Sequence, residues 1–357
     1  MPKPQEIAIL DVNGVRFQDW ETVWVQQRWA DAFTYFRFTA AERDPVFLGN
    51  EFPLWEKLQF RPGDWCNIML AGQLAVTGWI ETRQVAYDAN QHGVMLIGKS
   101  ATSKVAKSSV FTETGEFDGK SFQQIAQEVI GKYPVGIKIV GTLDPTPFDK
   151  MQAQKGELIW DFLERLARVR GIVMGSDQYG NFLLIGDHQA AITGQLIEGV
   201  NIKSCQCTIT QEQIYAEYRV DAQKPASDAD AGSAASEMTN TAETIIPRIP
   251  QSLLITPAEQ PVKTLAELAK RARTEADWHD YTEISATVVV QGWLSDGVNL
   301  WNAGDDVFIR SPMALLNNTM KIQNCTFSQD RNTGTITTLD LVMPGLLRDK
   351  RNFNPGP

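Results

Sequence analysis

Phe60-Arg61-Pro62-Gly63-Asp64 near the front of the chain and Trp301-Asn302-Ala303-Gly304-Asp305 near its end carry the same punctuation, displaced by 241 residues. Thirty residues past each of these glycines stands another, Gly93 and Gly334, at the same displacement. In both places an aromatic residue precedes a Gly-Asp turn, and an apolar-rich run follows (Cys66, Ile68, Leu70; Val307, Ile309). A second strand pair then turns on polar residues, Asp88 to Gly93 in one case and Gln329 to Gly334 in the other. Glycine and Asx residues suit such turns because they tolerate positive φ cheaply. Gly-Asp before a strand is common; the shared spacing is what argues for two copies of one small β-module. Gly63, Asp64, Gly93, Gly304, Asp305 and Gly334 are therefore the predicted structural turns of the repeat.

A chain of 357 residues with 43% hydrophobic content has room for several domains and enough apolar mass to fill their cores. The first 92 residues read as β, from short aromatic and β-branched runs at Ile7 to Val12, Val23 to Trp29 and Ala32 to Thr39. Such spacing suggests a barrel or sandwich. Trp20, Trp24, Trp29, Trp55, Trp65 and Trp79 crowd this part, enough for a small core and a contact surface.

Between about Val94 and Ile197 the period changes. Ser121 to Gln124 forms a capping box, and Phe122, Ile125, Ala126, Val129 and Ile130 follow helical spacing up to Gly131, which can close the helix in αL. A strand is predicted at Gly136 to Val140, then a helix over Gly156 to Arg170 with a buried stripe from Leu158 to Ala167 and solvated Glu157, Asp161, Glu164, Arg165 and Arg168. Gly171 ends it, and a hairpin follows around Asp177 to Asn181. This middle part is α+β.

Alternation returns from Asn201 to Val220, read as the opening strands of the second β-module. From Ala222 to Thr244 there is almost nothing to bury, and a flexible excursion is expected. Thr264 to Glu267 is a further capping box; Leu265, Leu268, Ala269, Ala272 and Ala276 give a helix to about His279, with Glu267 and Arg271 paired at i,i+4. Ile284 to Trp293 re-enters the second module, which finishes with Thr335 to Met343. The boundaries are thus 1–93 for a first barrel, 94–197 for the α+β domain, 198–221 with 281–345 for a second barrel, 222–280 for an inserted loop and helix, and 346–357 for a basic tail.

Little in the chain reads as reaction chemistry. His92, His188 and His279 fall in different segments, and no nucleophile elbow, zinc-helix, phosphate-loop or dinucleotide motif occurs. Asp64 and Asp305 sit in matching turns, where capping of backbone N–H groups accounts for a carboxylate. Cys205 and Cys207 share one strand face but lack metal-site spacing, so the four cysteines read as buried thiols. Neither a metal nor a cofactor is expected. A net charge of −10 argues against gripping nucleic acid, although an acidic wall would let DNA pass without sticking. No stretch is long and apolar enough for a membrane helix, and the first residues lack a signal-peptide layout, so synthesis in a cytoplasm is expected.

Gly156 to Arg168, followed by Gly171 to Met174 and Asp177 to Phe182, resembles the helix-and-hairpin signature of phage tail hub proteins, above all the baseplate hub proteins of Mu-like contractile-tailed phages. The late tail protein of P2-like phages and the hub part of type VI secretion spikes are similar more loosely. The run from Ala276 through Val288 and Trp293 to Asp305 also resembles the Mu-like group. The resemblance implies a structural, non-enzymatic virion protein of the tail baseplate, made in the bacterial host. It further implies a homotrimer whose two tail-tube-like barrels per chain make a pseudo-sixfold ring between a sixfold tube and a threefold spike, with other baseplate proteins around it and DNA in transit. Two further readings stay open: a tail-associated peptidoglycan hydrolase, whose carboxylates would come from distant positions, and a barrel-type module binding glycan or nucleic acid.

Overall fold

Ala8, Leu10 and Val12 point inward along β1 (Ala8–Val12), and Asn13 and Gly14 turn the chain, at φ of 52° and 84°, into β2 (Val15–Phe17). The computed structural model describes residues 4–42, 58–88, 92–112, 115–188, 190, 192–223, 237–246, 249–258, 264–281 and 283–344. Trp55 and the tail 346–357 lie outside these. The first part continues with β3 (Thr22–Arg28), β4 (Tyr35–Glu42), β5 (Trp65–Leu70), β6 (Gln73–Tyr87) and β7 (His92–Ser100).

A short α1 (Thr102–Ala106) leads into the middle part: α2 (Phe122–Ile130), β8 (Ile137–Val140), α3 (Ile159–Arg170), β9 (Val173–Ser176) and β10 (Phe182–Ile185). The Ser121 box forms as its spacing predicts: the Gln124 N–H donates to Ser121 Oγ at 3.4 Å and the Ser121 N–H to Gln124 Oε1 at 2.9 Å. Gly131 differs from expectation, ending α2 in right-handed αR at φ −61°, whereas Gly171 does end α3 in αL at φ 62°. The second helix begins at Ile159 because Glu157 serves its entry loop: it accepts from the Gln154 N–H at 2.8 Å and from Arg165 Nε at 2.6 Å. Phe117, Phe122, Phe162, Leu166 and Phe182 form a core between these helices and the three-stranded sheet β8-β10-β9.

The last part holds β11 (Ile192–Ile197), β12 (Ile202–Ile209), β13 (Glu217–Gln223), β14 (Glu237–Glu243), β15 (Leu253–Pro257), α4 (Leu265–Tyr281), β16 (Ile284–Gln291), β17 (Asp306–Ser311), β18 (Leu316–Asp330) and β19 (Gly334–Val342). Two expectations change here. β13 is no part of the second module: it pairs with β14 and β15 in a separate sheet, on which α4 packs through Leu268 and Ala272. Residues 237–243, expected in a flexible excursion, are strand β14, because backbone pairing with β13 and the cover of α4 stabilise a run that has little of its own to bury. Residues 224–236 of that excursion lie outside the described set.

Thirteen strands make one large sheet, β12-β16-β19-β18-β3-β4-β7-β6-β5-β1-β2, with β17 also on β18 and β11 on β17. The fold is mostly β with an α+β centre. One hydrophobic cluster, running from Leu10, Phe36 and Ile68 to Val288, Phe327 and Leu341, serves both ends of the chain.

Candidate assembly surface

The pairings show how the two ends correspond. β5, β6 and β7 are 6, 15 and 9 residues long, and β17, β18 and β19 have the same three lengths. Outward from them the order is also shared: β3-β4-β7-β6-β5-β1 at one end, β12-β16-β19-β18-β17-β11 at the other. The one change of direction is that β1 runs antiparallel to β5 whereas β11 runs parallel to β17. Both long strands break register at one residue, between Ile80 and Thr82 and between Ile322 and Asn324, so both bend at the same place.

At the two turns the geometry repeats. Gly63 and Gly304 have φ of 97° and 96°; their N–H groups donate to Ile80 O at 2.7 Å and Ile322 O at 2.8 Å. Ile80 and Ile322 return N–H bonds to Asp64 O and Asp305 O at 3.0 and 2.9 Å. The carboxylates diverge. Asp64 accepts from the Arg61 N–H at 2.7 Å, the capping role its position predicts, whereas Asp305 accepts from Thr193 Oγ1 at 2.7 Å and so ties down β11. Burial raises the Asp305 pKa, against the opposing bonds from Thr193 and Asn302.

Gly93 and Gly334 are not structural counterparts. The turn 312–315 has four residues where Ala71-Gly72 has two, an extra residue at Ala75 gives one back, and the second hairpin shifts the register once more. Gly98, opposite Ile80, thereby answers to Leu341, opposite Ile322. Gly93 lies inside β7 opposite Ala41, while Gly334 heads β19 at φ 72°. Core volume is exchanged across the same pairs: Phe36 faces Gly98, where an added Cβ would lie 2.2 Å from its ring, and Ala286 faces Leu341.

One exchange was invisible in sequence. Trp65 and Trp79 face each other edge-on at 4.6 Å, and the corresponding cross-strand pair is Asp306 with Lys321, at 2.9 Å with side-chain exposures of 0% and 5%. Lys321 also donates to Gly304 O at 3.0 Å and lies 5.4 Å from the Trp29 ring centre. The two ends meet where β3 pairs antiparallel with the far half of β18, Val25 opposite Phe327. There Gln26 Nε2 donates to Thr326 Oγ1 at 3.1 Å, and the Trp29 N–H to Gln323 O at 2.8 Å. The cysteines divide: Cys66 and Cys325 are buried, burial pushing Cys66 up to about 12, but Cys205 is exposed and Cys207 half-buried, contrary to the expectation of four buried thiols.

A cleft of about 780 Å³ separates the middle part from α4, and its ionic groups hold those parts together. Lys270 donates to Arg170 O at 2.7 Å and to Asp144 at 3.2 Å; Arg170 pairs with Glu267 at 3.0 Å. Glu267 thus reaches a partner across the cleft, and Arg271 pairs with Glu275 at 2.5 Å. Burial alone would raise the Asp144 carboxyl, but Thr146 and Lys270 hold it at about 2. A depressed pKa contributes stability above the ordinary value of 3.8 that is lost as pH falls through about 2. Wild type should therefore exceed Asp144→Asn in denaturant stability at neutral pH, with the gap closing between pH 3.8 and about 2. A gap independent of pH would refute the ionic link.

This fold, with matching strand orders at the two ends of an α+β centre, is shared with solved tail proteins. Residues 7–100 match the family described as Mu phage baseplate assembly protein GpP-like, N-terminal, and residues 102–186 the second domain of baseplate hub protein gp44-like chains. Baseplate hub protein gp44 of Escherichia phage Mu is 21% identical over 300 residues, covering 82% of this chain and 76% of that one. Among solved structures, the 43 kDa tail protein of prophage MuSo2 from Shewanella oneidensis superposes with a TM-score of 0.80 at 21% identity, over 96% of this chain and 99% of that one. An E. coli type VI secretion system component, described as similar to T4 bacteriophage tail proteins gp27 and gp5, superposes at 0.57 and 10% identity, over 94% of this chain and 76% of that one. The chain belongs to the baseplate hub proteins of Mu-like phages, and as such is a tail baseplate protein of the virion.

Proposed function

We propose that this hub protein works as a homotrimer whose six sheet modules, two per chain, close into a pseudo-sixfold ring joining a sixfold tail tube to a threefold spike. The observation that carries this reading is the shared strand order at the two ends, joined within the chain by β3 on β18. A covalent duplication resolves a symmetry mismatch that a plain ring of identical subunits meets only with equal copy numbers. On this reading the modules are barrels spanning about 1–93 and 198–345, the second interrupted by the β13–β15 and α4 insertion, with 94–197 as the α+β domain. The Gly63-Asp64 and Gly304-Asp305 turns are matching closure elements. Tube, spike and other baseplate proteins are the partners, DNA passes through a lumen that the acidic balance keeps from binding it, and synthesis is in the host cytoplasm. The role is assembly rather than catalysis.

Absolute mass by light scattering after size exclusion tests the ring. Three times 39.8 kDa, about 119 kDa, is expected. A stable 39.8 kDa species at every concentration would overturn self-assembly.

A further inference from the structure

The junction between β3 and β18 satisfies one strand edge from each end of the chain, and among the described residues no strand pairs with the corresponding edges at the other ends. β6 pairs with β5 only from Gln73 to Trp79; from Thr82 to Tyr87 it meets β7 on one side and no described strand on the other. β12 pairs with β16 and ends the sheet. Open edges carry unpaired N–H and C=O groups that favour addition of a strand. Both expose apolar side chains: Val85 is 44% exposed, Tyr87 77% and Ile209 48%.

We infer that β12 of a second copy of this chain adds antiparallel to the Thr82–Tyr87 edge of β6, in the register that β3 takes on β18. This rests on the trimeric reading above and specifies its subunit contact. The register follows from chains of facing residues. Val25 faces Phe36, which faces Gly98, which faces Ile80; Cys207 faces Ala286, which faces Leu341, which faces Ile322. Cys207 therefore answers to Val25. Counting from the shared bend, Val85 answers to Phe327. Since Val25 faces Phe327, Cys207 of the second copy faces Val85, and Cys205 faces Tyr87 as Val23 faces Gln329. Val85 and Tyr87 are thereby covered by Cys207 and Cys205, and Ile209 lies diagonal to Val85.

The polar chemistry supports the same register. Opposite one another at the closed junction stand Gln26 and Thr326, joined by the 3.1 Å hydrogen bond. Their counterparts at the open junction are Thr208 and Gln84, the same two side chains exchanged between strands. Either arrangement places an amide donor against a hydroxyl acceptor.

The test uses the full chain carrying Val85→Cys with Cys205→Ser, oxidised and run on a non-reducing gel. Covalent dimers and trimers are expected, with mass spectrometry placing the bond between the introduced thiol and Cys207. Gln84→Cys in the same background points to the opposite face and is expected to give at least tenfold less product. Light scattering on each variant separates the two possible failures. A particle of about 119 kDa without the linkage to Cys207, or with equal linkage from Gln84→Cys, overturns the register and leaves the trimer standing. A 39.8 kDa chain without linkage overturns both.

Discussion

Lys321→Ala is expected to destabilise the folded chain by about 3–5 kcal/mol, the usual cost of removing one partner from a buried ion pair. Asp306 is fully buried, and without the ammonium its carboxylate would keep its desolvation penalty and lose a strong partner. Gly304 O would also lose the 3.0 Å donor that closes the turn. Asp306→Ala should cost a similar amount, by stranding Lys321. The first module shows that charge is not required at this place in the sheet, because Trp65 and Trp79 occupy it with an aromatic pair. The double variant Asp306→Leu/Lys321→Met should therefore recover most of the loss, since apolar replacement of a whole buried pair is often neutral or stabilising. Guanidinium unfolding of the three variants checks this. Single variants within about 0.5 kcal/mol of wild type, the range of ordinary surface changes, would refute the assignment.

Gly304→Val should cost more than Gly63→Val, although the two turns match in backbone geometry. Both glycines sit near φ 97°, where a β-branched residue is strained by about 1–3 kcal/mol. Around Gly63 the space is open. At Gly304 an added Cβ would lie 2.7 Å from Trp29 Cδ1 and 3.1 Å from its Nε1, so about 1–3 kcal/mol of overpacking adds to the strain. Trp29 also extends the β3·β18 junction through its bond to Gln323 O, so displacing it loosens the join between modules. Losses of about 1–3 kcal/mol for Gly63→Val and about 2–6 for Gly304→Val are expected from those terms in thermal or chemical unfolding. Equal losses would mean that Trp29 yields without cost.

Local chemistry was legible. The Ser121 box, the helix-ending glycine at Gly171, the Asp177 hairpin and the Gly-Asp turns each depend on a few neighbouring residues, and each appears where its residues stand, although the αL closure expected at Gly131 does not. Pairings that depend on distant partners were not. Glu267 meets Arg170 across 97 positions, because packing of α4 on the middle part brings a buried guanidinium to it. β14 has a polar, loop-like composition and is a strand through its pairing with β13.

By itself, then, the sequence determined that β segments flank an α+β centre and that one Gly-Asp turn recurs at Gly63 and Gly304, since glycine tolerance of positive φ and hydrophobic period are written in adjacent residues; the second glycine pair that suggested the repeat, Gly93 and Gly334, does not correspond. Only the tertiary structure decided which positions correspond once turns and a bulge shift the register, that an ion pair replaces a tryptophan pair, and that β3 closes on β18. Those outcomes are set by which strands meet edge to edge, and hydrogen-bond pairing between strands hundreds of residues apart leaves no fixed spacing in the chain.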